Sequence, residues 1–520
     1  MTSVFFRFFK KSILSFFLVL TLAPAHSQSL ELAQLHDYIL FHIPAVSNRW
    51  TSKEMMNDPN FAALLDDGSL FVWGSHYNNL GIVIERPPEK NVISIFSSAS
   101  GFVVLFDDQQ LITTNSPFFP LDYPTPEIPQ GHHVISLASN WGSFAALLEN
   151  GSILCWGTLQ APILPTGQKA LSLFSSGHSF CAVLEKEELG KTQAVQTIFS
   201  WGEVKTPPFS LGKQKVVSII GNEEGFCALL DDGKLRLWGK KESIVKEPLR
   251  DSYKRVSMKE GSLCATGKSF IALLDDGNLH CWGDLKTPEL PYSQGTWIPW
   301  ISSQPLHAVS LISNYSGITA ILQDGSFLTA RVKTTGSRDT SGQWHVHKQQ
   351  ITDHIAVPNN KNNQPLELKY IVASDSAFTA LFNNGSVLSW GDEEEGGKTP
   401  DLANNKAIEI VPSGGSFTAL LENGKIQSWG KINRGGQTPE LPRDSEGNEV
   451  NVQKIIGNCS WMSALLSDGT LLMWGWGIKN NQTRIHVPEG KRLFSFVSPF
   501  EKFVLYGTFL EKEYQKIAFP

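Results

Sequence analysis

The 520-residue chain has little of what marks an enzyme or a disulfide scaffold. It carries six cysteines. Cys155 and Cys281 fall at one position of a recurring phrase, Cys181 and Cys227 at another, and Cys264 and Cys459 lie in the runs that approach it, so all six read as small apolar residues rather than a framework. Positive charge is not in excess: Lys+Arg number 44 against 50 Asp+Glu, a net of -6. That charge is spread rather than blocked, which sets aside nucleic acid and anionic membranes as partners, because both call for basic patches. No phosphate-binding glycine loop, nucleophile elbow or paired carboxylate site stands out. The expectation is no catalytic residue, no metal, no cofactor, and not an enzyme.

What is present is a phrase. Residues 417–430 read as a hairpin: an apolar run from Phe417, Asn423-Gly424 expected to supply the two positive-φ positions of a type I′ turn, then alternation up to Trp429-Gly430. Close copies occupy residues 61–74, 144–157, 226–239, 270–283, 378–391 and 462–475. Worn copies occupy 102–115, 180–202 and 318–331, and a half-copy is suggested from Phe503. A unit repeating every forty to fifty or so residues cannot bury its apolar face alone and must stack on neighbours. The fold class expected is all-β, a propeller of about ten short repeats forming one continuous array. The widest gap in the pattern, residues 332–377, follows the seventh hairpin start and also allows a seven-bladed ring and a remainder.

The ends differ from the array. Arg7, Lys10 and Lys11 precede the apolar run 12–23, and Ala23, Ala25 and Ser27 follow, which fits an export signal over residues 1–27. The run is shorter than the about twenty residues that cross a bilayer. An uncleaved anchor is the alternative, and both place the array outside the cytoplasm, secreted or periplasmic. Residues 28–60 space Leu30, Leu32, Leu35, Tyr38 and Ile39 as one face of a short helix, expected to cap an open end of the array. The array is assigned to residues 61–510 and a tail to 511–520.

Between hairpins the phrase Thr-Pro-x-x-Pro returns at Thr125, Thr287 and Thr438, with shorter relatives at Thr206 and Thr399. Proline cannot donate to a sheet, so these are connections or outer edges. An apolar run follows each, giving at least three strands per unit. With the Asp-Gly and Trp-Gly phrases, and residues 73–81 and 435–437, the chain resembles the regulator of chromosome condensation repeat family. In its short period it is similar to that family's bacterial secreted members, such as β-lactamase inhibitor protein II. The resemblance spans roughly residues 61–507 and implies a β-propeller. It carries no function, since propeller sites sit in variable loops.

The eight tryptophans of Trp-Gly read as packing between units. Trp297, Trp300 and Trp476 fall off the repeat in loops, and with Tyr77 they are the candidate contacts for a partner. The acidic turns at Asp66-Asp67, Asp231-Asp232 and Asp275-Asp276 lack the alternating carboxylates of a calcium loop and read as turn chemistry. The same reading covers Asn150 and Asn384, which also match a glycosylation pattern. His345, His347 and His354 could offer zinc two ligands from a strand and one from a loop, without further partners at fixed spacing. The acidic run 392–395 reads as a solvated turn. The function expected is binding of another protein through loops on one rim. Nucleotide exchange on a small GTPase, and a glycan-binding or hydrolytic surface protein, are the alternatives.

Overall fold

The computed structural model describes residues 60–74, 81–84, 90–98, 101–115, 125–140, 142–186, 195–207, 209–240, 255–257, 262–283, 285, 307–338, 344–478 and 482–497. Among them the regular elements are all strands, apart from two single 3-10 turns, Glu393–Glu395 and Ile432–Arg434. The strands form ten antiparallel sheets. Their middle strands are, in order, Asn60–Leu65, Gly101–Phe106, Ser143–Leu148, Ser179–Lys186, Gly225–Leu230, Ser269–Leu273, Gly317–Leu322, Ala377–Phe382, Ser416–Leu421 and Trp461–Leu466, and blades 1 to 10 are numbered by them.

Each hairpin of the sequence pattern is the second and third strand of one blade, and the apolar run before it is the first. First strands of successive blades touch, as Val134–Ser139, Gln168–Ser176 and Val216–Gly221 do, so they form the inner edge of a ring. Middle strands are buried on both faces, which is why they read as unbroken apolar runs such as Ser416–Leu421.

The turn differs from expectation. In blade 9 only Gly424 has positive φ, at 76°, and Asn423 does not. The Gly424 N–H donates to Leu421 O at 2.9 Å and the Leu421 N–H to Lys425 O at 2.9 Å, a type I turn closed by a glycine bulge rather than type I′. The cause is the residue before the glycine. Asn423 Oδ1 accepts the Lys425 N–H at 3.0 Å, which holds Asn423 out of the left-handed region. Asp67, Asn150, Asp232, Asp276, Asp324, Asn384 and Asp468 repeat that bond two residues on. The second carboxylate of each acidic turn, Asp67, Asp232 and Asp276, is therefore committed to a backbone N–H, in line with turn chemistry. Worn blade 2 keeps the turn by holding Gln109 at φ 69°.

The repeat tryptophans bolt blade to blade. Trp73, Trp156, Trp201, Trp238, Trp282, Trp390, Trp429 and Trp474 are all buried. Most stack on the phenylalanine opposite them, as Phe144 on Trp156 at 5.6 Å and Phe417 on Trp429 at 5.6 Å. Several indole N–H groups reach the preceding blade: Trp156 to Thr113 Oγ1 at 2.9 Å, Trp238 to Ser200 Oγ at 3.0 Å, Trp390 to Thr329 Oγ1 at 2.6 Å.

The Thr-Pro connections close the outer edge without a fourth strand. Thr438 Oγ1 accepts the Ser428 N–H at 2.8 Å and donates to Ser428 O at 3.4 Å. Thr399 does the same at Ser389 and Thr206 at Ser200. One hydroxyl thus replaces a strand, and the proline after it prevents further pairing. Thr438→Val is expected to cost about 1–2 kcal/mol, for two hydrogen bonds lost at a half-buried edge. Urea unfolding checks this, with Thr438→Ser recovering most of the loss.

Ten apolar clusters join the blades pairwise, and they run all the way round. Val103, Leu105 and Phe144 join blades 2 and 3, and Ile321, Phe327 and Phe378 join blades 7 and 8. Phe61, Trp73, Ile456, Trp461 and Met473 join blade 10 to blade 1. At that seam the strand Leu493–Val497 pairs antiparallel with Asn60–Leu65 and supplies the inner strand of blade 1. The array is one closed ring, and its first sheet has no bare inner edge. Residues 1–59, including the expected signal and cap, and the half-copy at Phe503 lie outside the described residues. The wide gap in the repeat pattern belongs to blade 7, whose third strand Phe327–Arg338 pairs with Trp344–Ile355 as a long ribbon.

All six cysteines are free. Burial pushes the thiols of Cys155, Cys181, Cys264 and Cys459 up to about 12, and those of Cys227 and Cys281 up as well. They are packing residues, with no thiolate to offer as nucleophile.

Candidate interaction surface

The ring has two ends. At one lie the Asp-Gly turns and the starts of the first strands. At the other the third strands leave at Trp-Gly and the first strands turn into the second. A belt of backbone hydrogen bonds crosses between blades at this second end. The Glu223 N–H donates to Gly267 O at 3.2 Å, Gly267 to Tyr315 O at 3.0 Å, Ser316 to Asp375 O at 3.1 Å, Asp375 to Gly414 O at 2.9 Å, and Gly414 to Asn458 O at 3.2 Å. Loops anchored on such a belt are held by their neighbours on either side.

Charge is concentrated at the same end. Arg434 and Asp375 form an ion pair at 2.7 Å with side chains only 12% and 9% exposed. Burial pulls the Arg434 pKa down, but Asp375 and Glu395 beside it outweigh that and raise it, so it stays charged. Lys431 lies 3.3 Å from Glu395, and Arg331 3.7 Å from Asp392. The acidic run is therefore not wholly solvated: Glu393 and Glu394 are exposed, whereas Asp392 and Glu395 turn inward to basic partners. Above this network Ile432 stands 65% exposed. Further round, Lys240 pairs with Glu203, which lowers the Glu203 pKa, while burial raises that of Glu223 against the pull of Lys268.

The sequence candidates fall at this end where they can be placed. Trp476 follows Gly475 and is half-buried against the seam cluster. Its N–H donates to Ser460 O at 3.1 Å and its carbonyl accepts the Trp461 indole N–H at 2.5 Å. The loops carrying Tyr77, Trp297 and Trp300 leave from Gly74 and Gly283 at that end, but those three residues lie outside the described ones.

The ribbon of blade 7 projects from the same end. Its third strand is paired with the blade as far as Arg331, opposite Gly317. From Lys333, opposite Gln349, to Arg338, opposite Trp344, its strands pair only with each other, while Val332 still donates its N–H to Ser316 O of the blade at 2.9 Å. Six residues at about 3.3 Å each carry it roughly 20 Å past the blade. Lys333, Arg338, Lys348 and Trp344 belong to it. The sequence offered little signal, since residues 333–338 and 347–350 are polar without alternation and the turn between the strands lacks the Asp-Gly or Asn-Gly phrase. The ribbon also places the histidines. His354 is not in a loop but on the same strand as His345 and His347, seven residues beyond the nearer, or roughly 23 Å along an extended chain. Its Nε2 lies 3.0 Å from Ser326 Oγ. The three do not share a centre.

Among the described residues no group of three or more His, Cys, Asp or Glu is arranged to hold a metal ion, and no helix is long and apolar enough to cross a membrane. One titratable group is notable for stability. His280 lies in the third strand of blade 6, edge-on to Trp282 at 4.2 Å, and burial pushes its pKa down to about 4 from 6.5. Below pH 6.5 the unfolded chain binds a proton that the folded chain refuses until about pH 4. Stability is therefore expected to fall across that window, by up to about 3 kcal/mol from this group. His280→Phe keeps the ring contact and should flatten that part of the pH dependence in urea unfolding.

No family model matches the chain, and no curated protein matches it. Among solved structures it is similar to Prp20p of Saccharomyces cerevisiae, at 15% identity over 73% of this chain and 81% of that one, TM-score 0.30. It is also similar to the ectodomain of the Physcomitrella patens receptor kinase CR4, at 13% over 61% and 81%, TM-score 0.29. A third is human WBSCR16, at 11% over 62% and 92%, TM-score 0.29. The propeller itself follows from the ten stacked sheets and their ring of clusters.

Proposed function

We propose that the chain is an exported protein-binding propeller that engages its partner with the Trp-Gly end of the ring, in the manner of short-repeat bacterial secreted propellers, and that it is not an enzyme. The observation that carries this is the blade 7 ribbon. Six rungs of paired backbone, Lys333 to Arg338 on one strand, project beyond the blade. An isolated two-stranded hairpin is marginal in water, so a stretch of this kind gains most when a partner covers it. Around it stand Ile432, the exposed acids Glu393 and Glu394, and the inward ion pairs that hold their loops. Export rests on the basic and then apolar character of residues 1–27.

The test replaces residues 333–349 by Asn-Gly, which leaves Arg331 opposite Ile351 within blade 7. The shortened chain and the intact chain are immobilised and offered secreted and surface proteins, a small-GTPase panel and glycans in parallel. The expected result is a protein held by the intact chain and lost from the shortened one at unchanged melting temperature. Retention of the same protein by both chains would move the contact elsewhere, and retention of glycans alone, or turnover of any substrate, would replace this reading.

A further inference from the structure

The inner wall of the ring carries a feature that protein binding at the rim does not use. In nine blades the first strand slips register by one residue near its start, between Ala170 and Ser172 for example, or Val216 and Ser218. The skipped residue faces neither neighbouring cluster. In blades 3, 4, 5 and 9 it is Ile135, Leu171, Val217 and Ile408, exposed by 58%, 43%, 49% and 48%. These four are among only six large apolar side chains that are exposed in the described residues. A bulge could hold any residue, and three successive blades hold an aliphatic one, exposed on the strand that lines the ring's inner edge. Lys169 and Lys215 stand exposed two residues before Leu171 and Val217.

We propose that residues 28–43 of this chain enter the bore and lie along the apolar arc of blades 3 to 5. Size, reach and charge agree with that occupant. Ten inner strands at the roughly 10 Å spacing of facing sheets make a ring roughly 30 Å across, and side chains narrow the bore to roughly 20 Å. A helix about 10–12 Å wide fits within it. Residues 30–43 would span about 21 Å as a helix, with Leu32, Leu35, Tyr38 and Ile39 along one face, and Pro44 ends the pattern. The chain enters blade 1 at Asn60, at the Trp-Gly end, and the bulge of that blade lies opposite Leu64 and Leu65, roughly 16 Å further along the strand. Residues 44–59 reach up to roughly 50 Å when extended, so the linker is ample. Residues 28–43 carry Glu31 and Asp37 and no lysine or arginine, the sign that complements Lys169 and Lys215.

The experiment uses the full chain with a photo-crosslinking phenylalanine analogue in place of Leu35, irradiated at low micromolar concentration and mapped by peptide mass spectrometry. The expected adducts fall on the first-strand peptides holding Ile135, Leu171 or Val217. Adducts on outer strands, on residues 498–520 or on a second copy of the chain, or none at all, would overturn the proposal. A second measurement varies the wall instead. Leu171→Lys with Val217→Lys changes two exposed side chains, and cleavage within residues 28–43 by a trace of protease is expected to speed up about tenfold, as for a segment released from a docked state. An unchanged rate at an unchanged melting temperature would also count against it.

Discussion

Ending the chain at Gly490 is expected to abolish cooperative unfolding. The strand Leu493–Val497 makes the inner edge of blade 1, pairing Ala62 with Val497, Ala63 with Phe496 and Leu64 with Ser495. Just before it, Arg492 O accepts the Asp66 N–H at 2.9 Å, the Arg492 N–H donates to Asp66 Oδ1 at 3.1 Å, and Lys491 pairs with Asp67 at 3.0 Å. Leu493 packs on the seam cluster that holds Phe61, Trp73 and Trp461. Loss of about four or five main-chain hydrogen bonds at about 1 kcal/mol each, with an apolar edge bared, comes to at least about 5 kcal/mol. That is the scale of a whole domain's stability. The shortened chain is expected to melt broadly in circular dichroism and to elute as aggregates. A permuted chain offers the check. Moving residues 490–497 ahead of Asn60, joined by a short glycine turn like those of other blades, should restore a sharp transition, because the register needs only the strand and not its place in the sequence. A truncated chain that melts as sharply as the intact one would remove the seam from this account.

The seam also shows what the sequence could and could not reveal. Each hairpin was legible because three constraints fall on it at once: an apolar middle strand buried on both faces, a glycine required by the turn, and a tryptophan packed against the preceding blade. The run from Leu493 to Val497 looks like every other approach run, yet no hairpin follows it in the described chain. Its hairpin lies more than four hundred residues earlier, and local pattern holds no trace of such a pairing. The turn type was misread for a related reason. Asn-Gly favours type I′ only when the asparagine side chain is idle, and here Asn423 Oδ1 accepts the Lys425 N–H. The sequence could not reveal the charge network either, since Asp375 and Glu395 come from the loops of blade 8 and Arg434 from that of blade 9, and they meet only because the belt brings those loops together. The candidate contacts were chosen for being aromatic in loops. That criterion finds neither the ribbon, whose distinction is backbone that projects past its blade, nor the inner apolar arc, whose residues sit inside strands.

Gly157→Ala is expected to cost about 4 kcal/mol, while the same change at Gly212 costs about 1. Both glycines have positive φ, 105° and 62°. The difference lies in what a methyl group would meet. At Gly157 a Cβ would sit 2.2 Å from Gly142 O and 2.7 Å from Ser143 Cα, backbone of the strand paired with it. At Gly212 nothing lies within 4 Å. The clash cannot be relieved by a side-chain rotation, so the third strand must lift from the second. That movement strains the Thr158 N–H bond to Gly142 O, now 2.9 Å, and the contact of Trp156 with Thr113 in the preceding blade. The positive φ costs about 1–2 kcal/mol in either glycine, and the separated strands account for the rest. Gly202 and Gly283 stand in the same position, with Cβ atoms that would meet His178 O at 2.4 Å and Lys268 O at 2.1 Å. The glycine of Trp-Gly is thus set by the approach of two backbones as much as by φ. Urea unfolding of the two variants decides it: equal losses at Gly157 and Gly212 would mean that φ alone explains the repeat, and that the indole has room to stay where it is when the strand end moves.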